Sequence, residues 1–316
     1  MPGVSYIVTI YNKAAALPFV ITGLAAQEGS FEREFIFVDD GSQDGGPDVV
    51  RRLTRDWTNV AVVEQKNSGP ASAMNAGFCL ARGDWIKPMD GDDVLLPWGT
   101  RRLLEACAET GCDVAVAPNA LHYNVDSEPA AMFGGYRPQP GRIERRDDML
   151  RRSLRRAQTN PSAWLARAET VRRCGGCDKR VFIQDYSIEL RLASLGGFAL
   201  LDEPLFLSPA TMPGRLSENQ AQALHDMNLA LANFIAERPA LPRDLARLGF
   251  ARAAARAWAW ARRRGGKNFA SREFRLAAGA RLGLFPPSPA NLRATCAAFA
   301  ATNSIRLADG RHTILR

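Results

Sequence analysis

Three carboxylates fall within four residues at Asp90-Gly91-Asp92-Asp93. Packed so closely they repel one another unless a cation or a positive dipole compensates. Mg²⁺ and Mn²⁺ favour such oxygen ligands, and Mg²⁺ is usually held by one or two carboxylates plus substrate phosphates. The same tetrapeptide also suits a solvated acidic turn, or a cap for the helix that Pro97 opens. A second cluster is Asp39-Asp40-Gly41-Ser42. A strand-end aspartate there can accept from a ring N–H of uracil or guanine, or from ribose hydroxyls; an Asx-turn explains it equally. A third is Asn67-Ser68-Gly69-Pro70, followed by Ala73-Met74-Asn75. A helix starting here aims its positive end at a phosphate, or is an ordinary loop-to-helix junction. The fourth is Gln184-Asp185-Tyr186, with Arg191 about two turns on. Asp185 can take the proton of a substrate hydroxyl, help typically worth about 10²–10⁴-fold. It is also what a helix start favours through its macrodipole.

These clusters need elements to hold them. Residues 4–10 alternate and are β-branched, which predicts a strand; 13–27 has helical spacing. Residues 35–38 predict a strand running into the Asp39–Ser42 turn. Helix at 47–57, strand at 60–63, helix at 71–81 and strand at 84–87 follow, with Asp90–Asp93 directly after. Pro97 opens a helix to about 109, and 113–117 reads as one more strand. Such alternation predicts a mostly parallel, Rossmann-like sheet flanked by helices. Ligands of such sheets bind beyond the carboxyl ends of the strands, so both acidic clusters are expected to face one crevice. Beyond about residue 220 the pattern is helical and alanine-rich. The expected domains are therefore residues 1–225, catalytic, and 226–316, a basic helical appendage.

The ordered set of motifs resembles the family 2 glycosyltransferases, which have the GT-A fold. Ile7 to Asn12 resembles that family's opening strand. Phe37-Val38-Asp39-Asp40-Gly41-Ser42 resembles its VDDGS turn, and Gly69 to Asn75 its glycine-led helix start. Met89-Asp90-Gly91-Asp92-Asp93 resembles its DxD region, and Cys174 to Asp178 with Gln184-Asp185 its Gly-Gly-aromatic-Asp stretch and acidic pair. The resemblance covers about residues 3–215. It implies an inverting, metal-assisted transfer from a nucleoside diphosphate sugar, UDP-sugar favoured, to a hydroxyl of a glycan or lipid-linked acceptor. By it, the donor site comprises Thr9, Tyr11, Asp39, Asp40, Lys66, Gly69, Asn75 and Asp90. Asp92 and Asp90 hold Mn²⁺ or Mg²⁺, Asp185 is the base, and Asp93, Gln184 and Arg191 give support. Four positions depart from the pattern. Met74 stands where an arginine is usual, Cys177 where an aromatic is, and Gln184 where a first acid is. No histidine occurs between residues 211 and 218, and His225 comes later.

Composition bounds the rest. The chain has 316 residues and is 46% hydrophobic, enough for a large core. No apolar run approaches the roughly 20 residues that span a bilayer, and the amino-terminus shows no leader pattern. A cytoplasmic protein is expected, or one peripheral on the inner face of a membrane; the family 2 resemblance implies that it builds a bacterial cell-surface or secreted polysaccharide. Charge is uneven: residues 1–235 carry a net −4 and residues 236–316 a net +12. Arg142, Arg145, Arg146, Arg151, Arg152, Arg155 and Arg156 form one basic run, either a solvated helix face or a patch for an anionic acceptor. At residues 250–264, tryptophans beside arginines suit an anionic membrane surface or a helix packed on the core. Nucleic acid is not expected, since no stacking aromatics are interleaved in the basic run. Cys174 and Cys177 have CxxC spacing, which reads as buried thiols, as half of a zinc site given two more ligands, or as a redox pair at a helix start after a strand. Two rivals stand beside the transferase: a decayed transferase that binds nucleotide sugar or acts as a scaffold, and a sugar nucleotidyltransferase. The latter wants a glycine-rich loop after the first strand, and residues 11–15 contain no glycine.

Overall fold

The computed structural model describes residues 3–211, 219–307 and 312. Two compact units emerge. The first takes in residues 3–149, 158–177 and 192–211; the second takes in 150–157, 178–191 and 219–307.

The first unit is built as the alternation predicts, starting with β1 (Gly3–Ile10), α1 (Leu17–Ala25), β2 (Glu32–Asp39), α2 (Gly46–Leu53), β3 (Val60–Glu64), α3 (Pro70–Leu80) and β4 (Trp85–Asp90). It continues with β5 (Val94–Leu95), α4 (Gly99–Thr110), β6 (Val114–Val116), β7 (Ala120–Tyr123) and β8 (Ile143–Arg146). It closes with β9 (Trp164–Arg167), α6 (Ala168–Cys174), β10 (Phe198–Leu201) and β11 (Phe206–Pro209). Eight strands form one sheet in the order β3-β2-β1-β4-β9-β6-β10-β8. The β3-β2-β1-β4 half is wholly parallel, as βαβ crossovers demand. β9 runs antiparallel between β4 and β6, and β8 antiparallel to β10. A small sheet, β5-β11-β7, completes the unit.

Six strands were not foreseen: β5, β7, β8, β9, β10 and β11. None exceeds four residues, too few for period-two alternation to register. β9 lay hidden in an arginine-rich stretch, though Trp164, Leu165 and Ala166 are fully buried. The basic run likewise divides. Arg145 and Arg146 lie on β8 and pair with Asp147 and Glu144, whereas Arg151 lies on a short helix, α5 (Met149–Arg155), and pairs with Asp244.

The second unit is helical: α5 and the start of α7 (Asp185–Ala193), then α8 (Gln220–Glu237), α9 (Arg243–Arg264), α10 (Arg272–Leu282) and α11 (Pro289–Ala300). Its core gathers Leu154, Tyr186, Leu190, Leu231, Phe234, Phe250 and Leu292. Alanines on the inner face of α9 let neighbouring helices approach closely. All six cysteines are free thiols, and Cys79 alone is exposed. No helix among the described residues is long and apolar enough to cross a membrane.

Candidate functional site

Strand register assembles the site's floor. Ile10 pairs with Asp39 and Thr9 with Asp90, so three adjacent parallel strands end side by side at their carboxyl edge. The order reverses between β1 and β4, which makes this edge the switch point where parallel sheets open a crevice. A shallow cavity of about 280 Å³ lies at the opposite, amino-terminal edge, lined by Gly3, Glu32, Arg33 and Arg82. It is at the wrong end of the strands for such a ligand.

The two neighbouring aspartates of the first turn do different work. Asp39 Oδ2 accepts from the backbone N–H groups of Gly41 and Ser42 at 3.0 and 2.9 Å. Its Oδ1 is buried with no partner, an acceptor with capacity left over. Asp40 is fully engaged: Oδ1 accepts from Gln65 Nε2 and Ser68 N, and Oδ2 from Gly69 N, each at 2.8 Å. It ties β2 to the loop that starts α3. Gly69, at φ 89°, is the residue preceding that helix. Lys66 is exposed in the same loop.

After β1 the chain turns through Asn12, the one non-glycine with positive φ (52°) among the described residues. Asparagine tolerates that conformation. Its N–H donates to Ser42 Oγ at 2.9 Å, and its Oδ1 accepts from Gln43 N at 2.9 Å. The turn leaves Tyr11 47% exposed beside the crevice.

The acidic turn after β4 is enclosed by cations. Asp92, almost buried, pairs with Lys13 Nζ at 2.7 Å, and Asp93 Oδ1 accepts from Ser208 Oγ at 2.6 Å. Tyr123 Oη donates to the Asp92 carbonyl, and Asp90 N to Ser162 Oγ. Gly91 is required by close approach, since a Cβ there would lie 2.7 Å from the Thr9 carbonyl. Lys87 is buried beneath, its Nζ donating to the carbonyls of Pro88 (2.9 Å) and Ser162 (2.7 Å). Burial pushes its ammonium down to about 7, against the pull of the Asp93 and Asp90 charges. Lys13 and Lys87 escaped sequence reasoning. The available signal was a lone lysine inside an otherwise apolar strand, Trp85-Ile86-Lys87-Pro88-Met89.

Asn75 faces the segment 175–177. Its amide donates to the Cys177 carbonyl at 3.0 Å and accepts from Cys177 N at 2.8 Å. The two-way clamp holds the Gly-Gly-Cys turn onto α3.

In the second unit Asp185 begins α7, partly exposed, after the buried Gln184. The Gln184 carbonyl accepts from Ser187 N and Ile188 N, closing the first turn. Two acids, which sequence reasoning did not single out for this purpose, anchor the preceding segment. Asp226 Oδ2 accepts from Ile183 N at 2.9 Å while its Oδ1 meets His225 Nδ1 at 2.8 Å. Asp178 accepts from Arg180 and from Asn233 Nδ2, and its own N–H donates to Ser187 Oγ. Arg191 is paired with Glu237 at 3.2 Å.

Among the described residues no group of three or more His, Cys, Asp and Glu side chains is gathered as a metal site. Asp90 and Asp92 are two hard oxygen donors at one strand end, which suits a divalent ion completed by phosphate oxygens.

Residues 5–158 match the sequence model of Glycosyl transferase family 2. The segment belongs to that family. The succinoglycan biosynthesis protein ExoO of Rhizobium meliloti is 35% identical over 133 residues, 42% of this chain and 37% of its own. The chain spans about a third of the length of the curated relatives it matches. Staphylococcus aureus TarS 1-349 superposes with a TM-score of 0.62 at 17% identity, covering 98% of this chain and 95% of that one. A mannosyltransferase from Pyrobaculum calidifontis, PcManGT, solved with GDP-Man and Mn2+, gives 0.55 at 19% identity, covering 95% and 86%. These superpositions establish the GT-A fold of the family 2 domain.

Proposed function

We propose that the chain is an inverting glycosyltransferase that moves a sugar from a nucleoside diphosphate sugar to a hydroxyl of a glycan or lipid-linked acceptor. The observation that carries the reading is the register of β1, β2 and β4, which sets Thr9, Asp39 and Asp90 at adjacent strand ends of a family 2 domain. UDP is the favoured nucleotide; TarS has also been solved with UDP-GlcNAc. ExoO's name places that relative in polysaccharide assembly, and a cell-surface glycan built at the inner face of a membrane is the corresponding role here.

In this reading Asp39 receives the base, whose ring N–H would complete its spare acceptor, and exposed Tyr11 borders the nucleoside. Asp40 and Asn75 keep the loops in place, and Lys66 and Gly69 lie along the phosphate path. Asp90 and Asp92 would hold Mn²⁺ or Mg²⁺, supported by Asp93, and such an ion would supply positive charge for the leaving diphosphate. Asp185 accepts the proton of the acceptor hydroxyl as its oxygen attacks the anomeric carbon and the bond to the diphosphate breaks. Gln184 closes the first turn of α7 beside Asp185, and Arg191, two turns on, anchors that helix through Glu237.

Lys13 favours a second reading. Its ammonium sits 2.7 Å from Asp92, so a lysine rather than a metal can meet the departing diphosphate. The test is thermal shift against UDP, GDP, CDP and dTDP, each with and without Mn²⁺. A ligand at 100 times its Kd adds about 2.7 kcal/mol. A shift with one nucleotide that needs Mn²⁺ supports the metal-assisted reading. One that survives EDTA supports the lysine. No shift with any nucleotide sinks both and favours a decayed, non-catalytic scaffold.

A further inference from the structure

The sequence left the tryptophans of α9 open to a membrane surface or to packing on the core, and both pack on neighbouring aromatic rings. Trp258 packs on the rings of Phe269 and Phe274 at 5.7 and 5.2 Å. Trp260 packs on Phe299 at 5.9 Å and donates its indole N–H to Thr302 Oγ1 at 2.8 Å. A different set of apolar side chains stands in solvent. Leu282 and Leu284 are each 72% exposed, Phe269 66%, and Phe285 41%.

These residues bracket α10. Leu276, Ala277 and Ala280 turn its inner face to the core. Arg275 and Leu282, seven residues apart, share the outer face. At the carboxyl end Gly283, at φ 71°, reverses the chain, and Leu284 N donates back to the Gly279 carbonyl at 2.8 Å. Phe285 then folds onto Gly279, where a Cβ would meet its ring at 2.2 Å. The result is a fixed apolar tip of Leu282, Leu284 and Phe285 with Arg281 beside it. Phe269, at the other end, is held by its edge contact with Phe274 at 5.0 Å.

The charge around this face has one sign. Residues 262–281 contain Arg262, Arg263, Arg264, Lys267, Arg272, Arg275 and Arg281, all exposed, and a single acid, Glu273. Exposed leucines and phenylalanines cost free energy in water unless covered. A cover that accepts both apolar tips and a dense array of cations is an anionic bilayer, whose headgroups meet arginines while its acyl boundary takes the apolar tips. We propose that α10 with its two flanking loops docks the protein on a membrane of anionic phospholipid, Leu282 and Leu284 entering the headgroup boundary. This gives the membrane attachment in the proposed function a defined surface, and it rests on that reading only for its purpose.

The experiment is sedimentation of the full chain with vesicles, without donor or acceptor. One set is phosphatidylcholine and the other an equal mixture of phosphatidylcholine and phosphatidylglycerol. Binding is expected on the mixed vesicles, falling as salt rises, with little on the neutral ones. Leu282→Asp with Leu284→Asp is expected to weaken it by on the order of tenfold or more. Arg275→Glu with Arg281→Glu is expected to weaken it by about fivefold for each charge. All four positions are exposed, so the melting temperature checks that the variants fold. Equal binding to both vesicle types, or undiminished binding by the leucine variant, overturns the proposal. Transfer to a soluble acceptor, measured separately, reports on the proposed reaction alone: a folded enzyme that transfers but ignores vesicles refutes the surface and leaves the reaction standing.

Discussion

The strand-end turns of the first unit and the α9–α10 stretch of the second both concentrate charge, and they handle it in opposite ways. Asp39, Asp40, Asp92 and Asp93 are each buried, and each receives hydrogen bonds or a lysine from its own chain. The seven cations of residues 262–281 are exposed, with one acid among them. Burying a carboxylate is costly without partners, so the first arrangement fixes geometry in advance of any ligand. The second fixes little and acts at a distance, through a field that salt screens. Substitutions in the enclosed region should therefore cost activity and stability, and those in the open region should change salt-dependent attachment.

The largest effect is expected at Asp92. Asp92→Ala removes a carboxylate that faces Lys13 and, in the proposed reaction, the metal. Transfer from a UDP-sugar should fall by about 10²–10³-fold, the usual loss when one charge-stabilising group is deleted from a site. Full turnover in this variant would break the comparison at its centre, because an enclosed acid would then be structural only.

Asp40→Ala comes next and reads out in stability. It strips one acceptor from Gln65 Nε2 and from the backbone of Ser68 and Gly69. Water can refill part of that space, so a net loss of about 2–4 kcal/mol is expected, seen as a lower urea midpoint. An unchanged midpoint would mean that the loop before α3 does not need its tie to β2.

How much of this was legible in the sequence depends on the span of the signal. β1 through β4 and their helices are long enough for periodicity, and their carboxyl ends carry motifs, so the parallel half-sheet and the two acidic turns could be read. Asp39 and Asp40 are adjacent in sequence and indistinguishable by pattern. Only the register and the path of the 65–69 loop reveal that one keeps a spare acceptor and the other is spent on the loop. Lys13 and Asp92 are 79 positions apart, and no local rule links them. Tryptophan beside arginine on α9 read equally as a membrane face or a packed face, and only the packing, which sends those rings to Phe274 and Phe299, decides between them. The exposed leucines lie in Leu282-Gly283-Leu284, too short a run to carry periodicity. Asp226 was unreadable as an anchor of the Asp185 turn because, like Lys13 from Asp92, it lies far in sequence from its partner: 43 residues separate it from Ile183.

The smallest effect sharpens the contrast between the two kinds of cation. Arginine, as a side-chain type, stays charged at every pH a protein survives. Lys87 does not, because burial brings its folded value down to about 7 while the unfolded chain holds that proton to about 10.4. Between those values the unfolded state carries one more proton than the native state, so stability must rise with pH across the window. Below about 7 both states are protonated and the penalty is constant; above about 10.4 both are neutral and it is gone. The slope attributable to one proton is at most about 1.4 kcal/mol per pH unit. Lys87→Met keeps the length of the side chain and removes the titration. It also leaves the Pro88 and Ser162 carbonyls without this donor, so its absolute stability is not the informative quantity. What matters is the difference between wild type and variant, measured by urea unfolding at steps from pH 7 to 10. That difference should shift steadily in favour of wild type as pH rises. Parallel curves would show that Lys87 keeps its proton throughout, held by Asp90 and Asp93 more strongly than burial opposes it.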